Sequence, residues 1–322
     1  MTRCLTTLLR QSHPIEDRIV VDNASTDGSL EALQSADPNL RVIRNKTNLG
    51  FAAAANQAVE AAEGSWLLLA NLDVEFAPDY VARLFAAGER DSSIGAVTGK
   101  LLRPGAGSNK PIVDSTGHIL YRNGWAANRG EGLADSGQWE RSEEVFGVTA
   151  AAPLYRTKML REITDGSARP FDERFFAYIE DVDLDWRMRW LGWKAWYEPA
   201  VALHHRSATG ARRSPFVLRH ILKNRLLLVA NNDLWPGALV RLPGVVAFTV
   251  LTAIQFGMES LQAPLGIIDF LRLMPGCRGR RRFLRQHRRV ASGEIARWMQ
   301  PFPYRQKIGR KLRLGTTRAA AG

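Results

Sequence analysis

Five clusters of residues in this chain have types and spacings that could do chemistry. The first is Val21-Asp22-Asn23-Ala24-Ser25-Thr26-Asp27-Gly28-Ser29, an apolar run ending in an acidic, hydroxyl-rich turn. Ligands of open α/β sheets bind at the carboxyl ends of strands, so Asp22 is placed to accept hydrogen bonds from a ribose or base. A plain turn with Asp27 capping the next helix accounts for the same residues. The second cluster, Asn48-Leu49-Gly50-Phe51, again sets polar side chains and a flexible glycine at a strand-to-helix junction. Neither has the glycine spacing of dinucleotide folds or of phosphate-binding loops, so those two enzyme classes recede.

The third cluster is an apolar strand from Trp66 that stops at Asn71-Leu72-Asp73. A carboxylate there needs a partner, and a divalent cation bridging a diphosphate is one; the other reading is a turn or helix-capping aspartate before Pro78. In the fourth, Glu180, Asp181, Asp183 and Asp185 fall within six residues after an aromatic run. Repulsion raises the pKa of some carboxylates in such a group, which is how a general base is tuned, although acids at a helix start also complement its dipole. Asp183/Arg187 and Asp185/Arg189 have the i,i+4 spacing of ion pairs. The fifth is His204-His205 at the end of another apolar strand. An isolated histidine there is more often packed than a ligand, but with Asp73 it would complete an Asp/His site open to phosphate oxygens.

Alternation of short apolar runs with helix-patterned stretches must position these groups, and it reads as parallel α/β. The pattern predicts strands over 18–22, 40–44, 65–70 and 94–101, and helices over 27–35, 49–62, 78–90 and 180–191. Leu5, Leu8 and Leu9 have helical spacing with no apolar strand before them, so a chain truncated ahead of its first strand is expected. The amino terminus also lacks the features of a secretory signal. From 102 to 145 glycines interleave with Trp125 and Trp139, and this stretch reads as a long loop carrying a binding surface.

With 322 residues, 45% hydrophobic and 24% charged, the chain can bury a substantial core, which excludes disorder, collagen and a disulfide scaffold. Cys4 and Cys277 are too few for a disulfide framework, and a reducing compartment is expected. Residues 1–205 carry 22 Lys/Arg against 28 Asp/Glu, whereas 206–322 carry 22 against 4. A mildly acidic domain is thus followed by a basic segment that meets something anionic. Apolar residues 245–254 fall short of the ~20 a spanning helix wants, so an interfacial or shallowly inserted helix is expected. Arg278, Arg280, Arg281, Arg282, Arg285, Arg288 and Arg289 follow it, each attracted to anionic lipid by roughly 1 kcal/mol. A nucleic-acid-binding protein with an Arg-rich tail is the alternative, but the tail lies beside apolar sequence and shows no nucleic-acid recognition motif.

In this order the five clusters resemble glycosyltransferase family 2, and most closely its rhamnosyltransferase-like branch, over roughly residues 1–210. The resemblance implies an α/β GT-A fold, Rossmann-like with a mostly parallel sheet, over 1–212, followed by a basic helical region, membrane-associating, over 213–322. It implies an inverting, metal-dependent transfer from a dTDP- or UDP-sugar to a hydroxyl of a glycan or lipid-linked acceptor of the cell envelope, with rhamnose as the sugar the branch points to. Position by position, Asp22, Asn23, Ser25, Asn48 and Gly50 would form the nucleoside side of the donor site. Asn71 and Asp73 stand where the family has Asp-x-Asp, which leaves Asp73, with His204, to hold Mg2+ or Mn2+ on the diphosphate. Asp181 matches the catalytic base, with Glu180 and Trp186 beside the acceptor and Asp183 and Arg187 structural. Such an enzyme would work on the cytoplasmic face of the membrane, where nucleotide sugars are available. Family members begin with a strand ending in Asn-Tyr or Thr-Tyr near the base, and this sequence starts downstream of it. A degenerate transferase kept as a membrane scaffold is therefore a further alternative.

Overall fold

A computed structural model describes residues 2–104, 110–164, 169–205 and 214–304. Gly105 and Gly107 of the long glycine-rich stretch, and the boundary expected at 212/213, lie outside the described residues. In chain order the first elements are α1 (Thr2–Leu8), β1 (Ile19–Asp22), α2 (Ser29–Ala36), β2 (Arg41–Arg44), α3 (Phe51–Ala61), β3 (Trp66–Leu68), β4 (Val74–Phe76), α4 (Tyr80–Glu89) and β5 (Ile94–Arg103). There follow β6 (Ile112–Ser115), β7 (His118–Tyr121), β8 (Ala126–Asn128), β9 (Glu143–Val145), β10 (Leu154–Arg156), α5 (Thr157–Glu162), α6 (Glu180–Trp190) and β11 (Lys194–His204). The carboxyl-terminal part contains α7 (Pro215–Asn232), α8 (Gly237–Glu259), α9 (Leu265–Leu273), α10 (Cys277–His287), α11 (Ser292–Trp298) and β12 (Met299–Gln300). Every strand and helix expected from the apolar pattern is present, with ends within two residues.

The main sheet runs β3-β10-β5-β11-β4, with β6 on β5 and β9 on β11. It is mixed rather than mostly parallel, since β5–β11 is its one parallel pair and its other pairings are antiparallel. A parallel partner needs a crossover of a dozen or more residues. The eight-residue link from β5 to β6 cannot make one, so β6 folds back on β5. Strands β1 and β2 form a separate parallel pair, and β7, β8 and β12 a third sheet. The stretch 102–145 is therefore not one long loop: β6 to β9 lie in it, and its glycines make turns between short strands. Gly117, for example, sits at φ 118° between β6 and β7, a left-handed region that favours glycine.

One apolar core surrounds α6 and includes Tyr155, Phe171, Phe175, Leu184, Trp186 and Trp190 together with Leu227 and Leu228 of α7 and Leu284 of α10. A second lies between α4 and β5, around Tyr80, Leu84, Val97 and Leu101. The basic helical part thus shares a core with the amino-terminal α/β part. Helix α8 is longer than the 245–254 run, because it passes through Pro243 and reaches 23 residues. At 1.5 Å per residue that is about 34 Å, comparable with a bilayer's hydrocarbon thickness. Val245, Thr249, Thr252 and Phe256 face the protein, while Val246, Val250, Leu251, Ile254 and Met258 are exposed.

Candidate active site

At the end of β1 the Asp22 Oδ1 accepts the Ser25 N–H at 3.0 Å. Hydrogen bonds from Ser25 hold the Asp22 carboxyl below its ordinary range, so it is an acceptor at neutral pH. Asn23 ties this turn to the second cluster. Its Nδ2 donates to Asn48 Oδ1 and to the Gly50 carbonyl, each at 3.1 Å, and its Oδ1 accepts the Leu49 N–H at 3.0 Å. Asn48 Oδ1 also accepts the Gly50 N–H at 2.9 Å. The two asparagines therefore brace the junction, while Asp22 and the exposed Ser25 stand at its rim. Gly50 has φ 87°, and a Cβ there would come within 2.6 Å of the Phe176 ring and carbonyl. This close approach seats the β1 and β2 junction on the loop that leads to Asp181.

Asn71 turns the chain between β3 and β4: its carbonyl accepts the Val74 N–H at 3.1 Å and its N–H donates to Ala151 at 2.9 Å. Beyond it the Asp73 carbonyl accepts the His205 N–H at 2.8 Å, which brings the end of β11 alongside. His204 Nε2 then lies 3.4 Å from Asp73 Oδ1, and Nδ1 is 2.8 Å from Asp114 Oδ2. Burial alone would lower the His204 pKa, but the hydrogen bonds it donates to Asp114 and Asp73 outweigh it and raise it to about 9. His205 turns away to Glu75 at 2.9 Å. Among the described residues no third His, Cys, Asp or Glu joins such a group. Without a cation His204 is thus an imidazolium paired with Asp73. A hard cation that takes its other ligands from phosphate and water would hold to Asp73, and His204 would join it by giving up its Nε2 proton while Nδ1 stays on Asp114.

The loop before α6 holds three non-glycine residues at positive φ, Phe176, Tyr178 and Ile179. Such backbone is strained and persists only when its surroundings fix it. Asn224 of α7 fixes it by donating to the carbonyls of Phe175, Ala177 and Tyr178 at 3.0, 2.8 and 2.7 Å. Lys223 adds bonds to Arg174 and Phe175. Every residue of α6 is buried except Asp181, whose Oδ2 accepts the Ala150 N–H at 3.0 Å. Beside it Glu180 Oε2 is buried with no partner, and burial with the Asp181 charge pushes its carboxyl well above the usual range. The repulsion anticipated among these acids thus falls on Glu180, and also on Asp185, which burial raises to about 6 against the pull of His118.

Asp183 and Arg187 form the expected pair, at 2.9 Å and fully buried. Asp185 and Arg189 do not pair. Asp185 turns to His118 at 2.7 Å, and Arg189 reaches Glu144 and the carbonyls of Val145 and Phe146. Tertiary partners that need no solvent outcompete a neighbour on the helix surface. Trp186 is also corrected: at 1% exposure it belongs to the core and cannot face an acceptor. Tyr178, on the loop into α6, and Phe216, packed edge-on against Phe176, are the exposed aromatics at this position.

Asp114, His118 and Asp185 are central here; the sequence reading left Asp114 and His118 without a role, and Asp185 with only a place in the acidic cluster and a pairing with Arg189. Asp114 and His118 flank the β6–β7 turn, one meeting His204 and the other Asp185. Short alternating runs on either side of Thr116-Gly117 were the available signal for two strands joined by a tight turn.

The family model for glycosyl transferase family 2 matches residues 1–163. An N-acetylglucosaminyl-diphospho-decaprenol L-rhamnosyltransferase of Mycobacterium tuberculosis is 29% identical over 237 residues, covering 67% of this chain and 76% of that protein. Among solved structures, GalNAc-T7 with UDP, GalNAc and Mn2+ superposes with a TM-score of 0.53 at 13% identity, over 70% of this chain and 44% of that one. S. aureus TarS 1-349 superposes with a TM-score of 0.50 at 18% identity, over 89% and 84%. At these identities the structures carry the fold, which is GT-A. The ordered motifs, the fold and the family match agree, and the chain belongs to glycosyltransferase family 2, as a rhamnosyltransferase-like glycosyltransferase.

Proposed function

We propose that this glycosyltransferase moves a sugar, with inversion and with a divalent cation, from a nucleotide-sugar donor to a hydroxyl of a lipid-linked acceptor in cell-envelope glycan synthesis. Rhamnose is the leading sugar, on the strength of the mycobacterial relative's name, and dTDP-rhamnose is the donor that the branch resemblance implies. One observation carries the reading: Ala150 donates to Asp181, and the next residue, Ala151, accepts from Asn71. Two adjacent residues thereby join the candidate base to the turn that bears Asp73.

Asp22 receives the nucleoside, and Asp73 with His204 would hold Mg2+ or Mn2+ at the diphosphate. When bound, the cation neutralises charge on the departing nucleoside diphosphate. Asp181 accepts the acceptor hydroxyl proton as that oxygen attacks the anomeric carbon and the bond to the diphosphate breaks on the opposite face. Glu180, kept neutral by its burial, adds no second negative charge beside Asp181. An exposed basic and apolar surface supports work on the cytoplasmic face of the membrane, lying on it or shallowly inserted. Arg278, Arg282, Arg285, Arg288 and Arg289 are exposed, whereas Arg280 is buried and Arg281 is bonded to the Ala230 carbonyl.

The test is transfer across a panel of dTDP-, UDP- and GDP-sugars onto a polyprenyl-diphosphate N-acetylglucosamine acceptor, with Mn2+, Mg2+ or EDTA. One donor consumed with metal dependence supports the reading. Metal-independent turnover, or binding of none of the donors by the folded chain, contradicts it.

A further inference from the structure

His118 opens β7, and its position is fixed from several sides. Its N–H donates to the Gly147 carbonyl at 2.9 Å, and it pairs across the sheet with Asn128. The side chain is 5% exposed. Nδ1 lies 2.7 Å from Asp185 Oδ2, and Nε2 lies 3.6 Å from Asp181 Oδ2. Asp185 is itself held rigidly, because both its oxygens accept the Val148 N–H at 3.1 Å. Room for it exists only because residue 147 is glycine; a Cβ there would fall 1.9 Å from Asp185 Oδ2. One imidazole therefore bridges a fixed, buried carboxylate and the one carboxylate of α6 that reaches solvent.

We propose that His118 is a positioning residue for glycosyl transfer: clamped by Asp185, its imidazolium pairs with Asp181 and holds that carboxylate toward the acceptor hydroxyl. The inference rests on the reading of Asp181 as the base. At 3.6 Å the contact is an ion pair rather than a hydrogen bond, so it restrains the carboxylate while leaving lone pairs for the acceptor proton.

The surroundings favour the charged imidazole. Burial alone would lower the His118 pKa, but the charges of Asp181 and Asp185 and the Asp185 hydrogen bond outweigh it and raise it. Tyr155 and Glu180 are the other titratable groups around the pair, and burial raises both well above their ordinary values, which leaves them neutral. Arg189, the nearby cation, is engaged with Glu144 and backbone carbonyls.

In the full chain, His118→Gln, Asp185→Asn and Asp181→Asn are compared for donor affinity by calorimetry, for kcat and acceptor KM, and for the pH profile of kcat. His118→Gln is expected to keep donor affinity and lose about 10²-fold in kcat, the effect of a misplaced reacting group. Transfer by the unmodified chain should fall as pH rises through the raised His118 pKa. That alkaline limb should vanish in His118→Gln and move to lower pH in Asp185→Asn, where the carboxylate charge on Nδ1 is gone. Full kcat with an unchanged limb in His118→Gln overturns the proposal. Should that variant fail to bind donor, an unmoved limb in Asp185→Asn overturns it. Imidazole NMR of the unmodified chain needs no variant, and a His118 that stays neutral down to pH 6 overturns the pairing. Transfer that survives in Asp181→Asn refutes the base reading itself, a result distinct from a dead Asp181→Asn beside a fully active His118→Gln.

Discussion

Asp183 and Asp181 are two residues apart on one helix, and the structure gives them opposite fates on substitution. Asp183 Oδ2 accepts Arg187 Nε at 2.9 Å, and its Oδ1 accepts the side-chain amides of Asn231 and Asn232 at 3.0 and 2.7 Å. Asp183→Ala leaves the buried Arg187 guanidinium with only the carbonyls of Ile163 and Pro170. Breaking a buried pair in this way costs about 3–5 kcal/mol, and each stranded amide donor adds to it. We therefore expect a loss at the upper end, about 5 kcal/mol, and a melting temperature lower by about 10 °C. Arg187→Met in the Asp183→Ala background removes the orphaned charge and should recover a large part of the loss. Thermal melts followed by circular dichroism at one scan rate, with Asp181→Asn as control, make the test. Asp181→Asn should melt within about 2 °C of the parent, since its carboxylate is the one on α6 that reaches solvent and an amide oxygen can still accept the Ala150 N–H. An Asp183→Ala melt equally close to the parent would refute the assignment of this pair to stability.

Other outcomes follow from particular contacts. Gly50→Ala, with φ 87° and a Cβ 2.6 Å from Phe176, should lose about 1–3 kcal/mol of stability and weaken donor binding, read by denaturant titration and calorimetry. Asp114→Asn frees the far nitrogen of His204 and should weaken Mn2+ binding in the presence of nucleoside diphosphate by about 10- to 100-fold, read by calorimetry. Reversing Arg278, Arg282 and Arg285 to Glu should abolish flotation with anionic vesicles, since about 1 kcal/mol per Arg is lost and three like charges are added. Unchanged flotation would mean that the α8 face alone anchors the chain.

Much of the fold was legible because it depends on local pattern. The strands that lead into the turns at Asp22, Asn45, Asn71 and His204 follow from apolar runs meeting polar residues, and those turns are where α/β sheets meet ligands. The Asp183/Arg187 pair was legible for the same reason, as an i,i+4 spacing. What escaped was non-local. Asp185 meets His118 across 67 residues and His204 meets Asp114 across 90, and no periodicity encodes such pairings. Trp186 was placed beside the acceptor by its position near Asp181 in the motif, yet α6 is buried at every residue but Asp181, so nearness in sequence is no measure of exposure. Short strands with glycine turns disguised the tight turn from β6 to β7 as loop, and with it the two aspartate–histidine pairs. The glycine turns also hid the sheet's antiparallel returns.

The central claim is that Asp73 with His204 serves the donor diphosphate through a cation while Asp181 takes the acceptor proton. The most direct measurement is the transfer rate, with donor affinity measured alongside, for the parent, Asp73→Ala and Asp181→Asn on the donor the panel identifies. The account predicts that Asp181→Asn binds donor normally and transfers about 10²–10⁴ times more slowly, while Asp73→Ala loses both donor affinity and stimulation by Mn2+. Transfer at the parent's rate by either variant would contradict it.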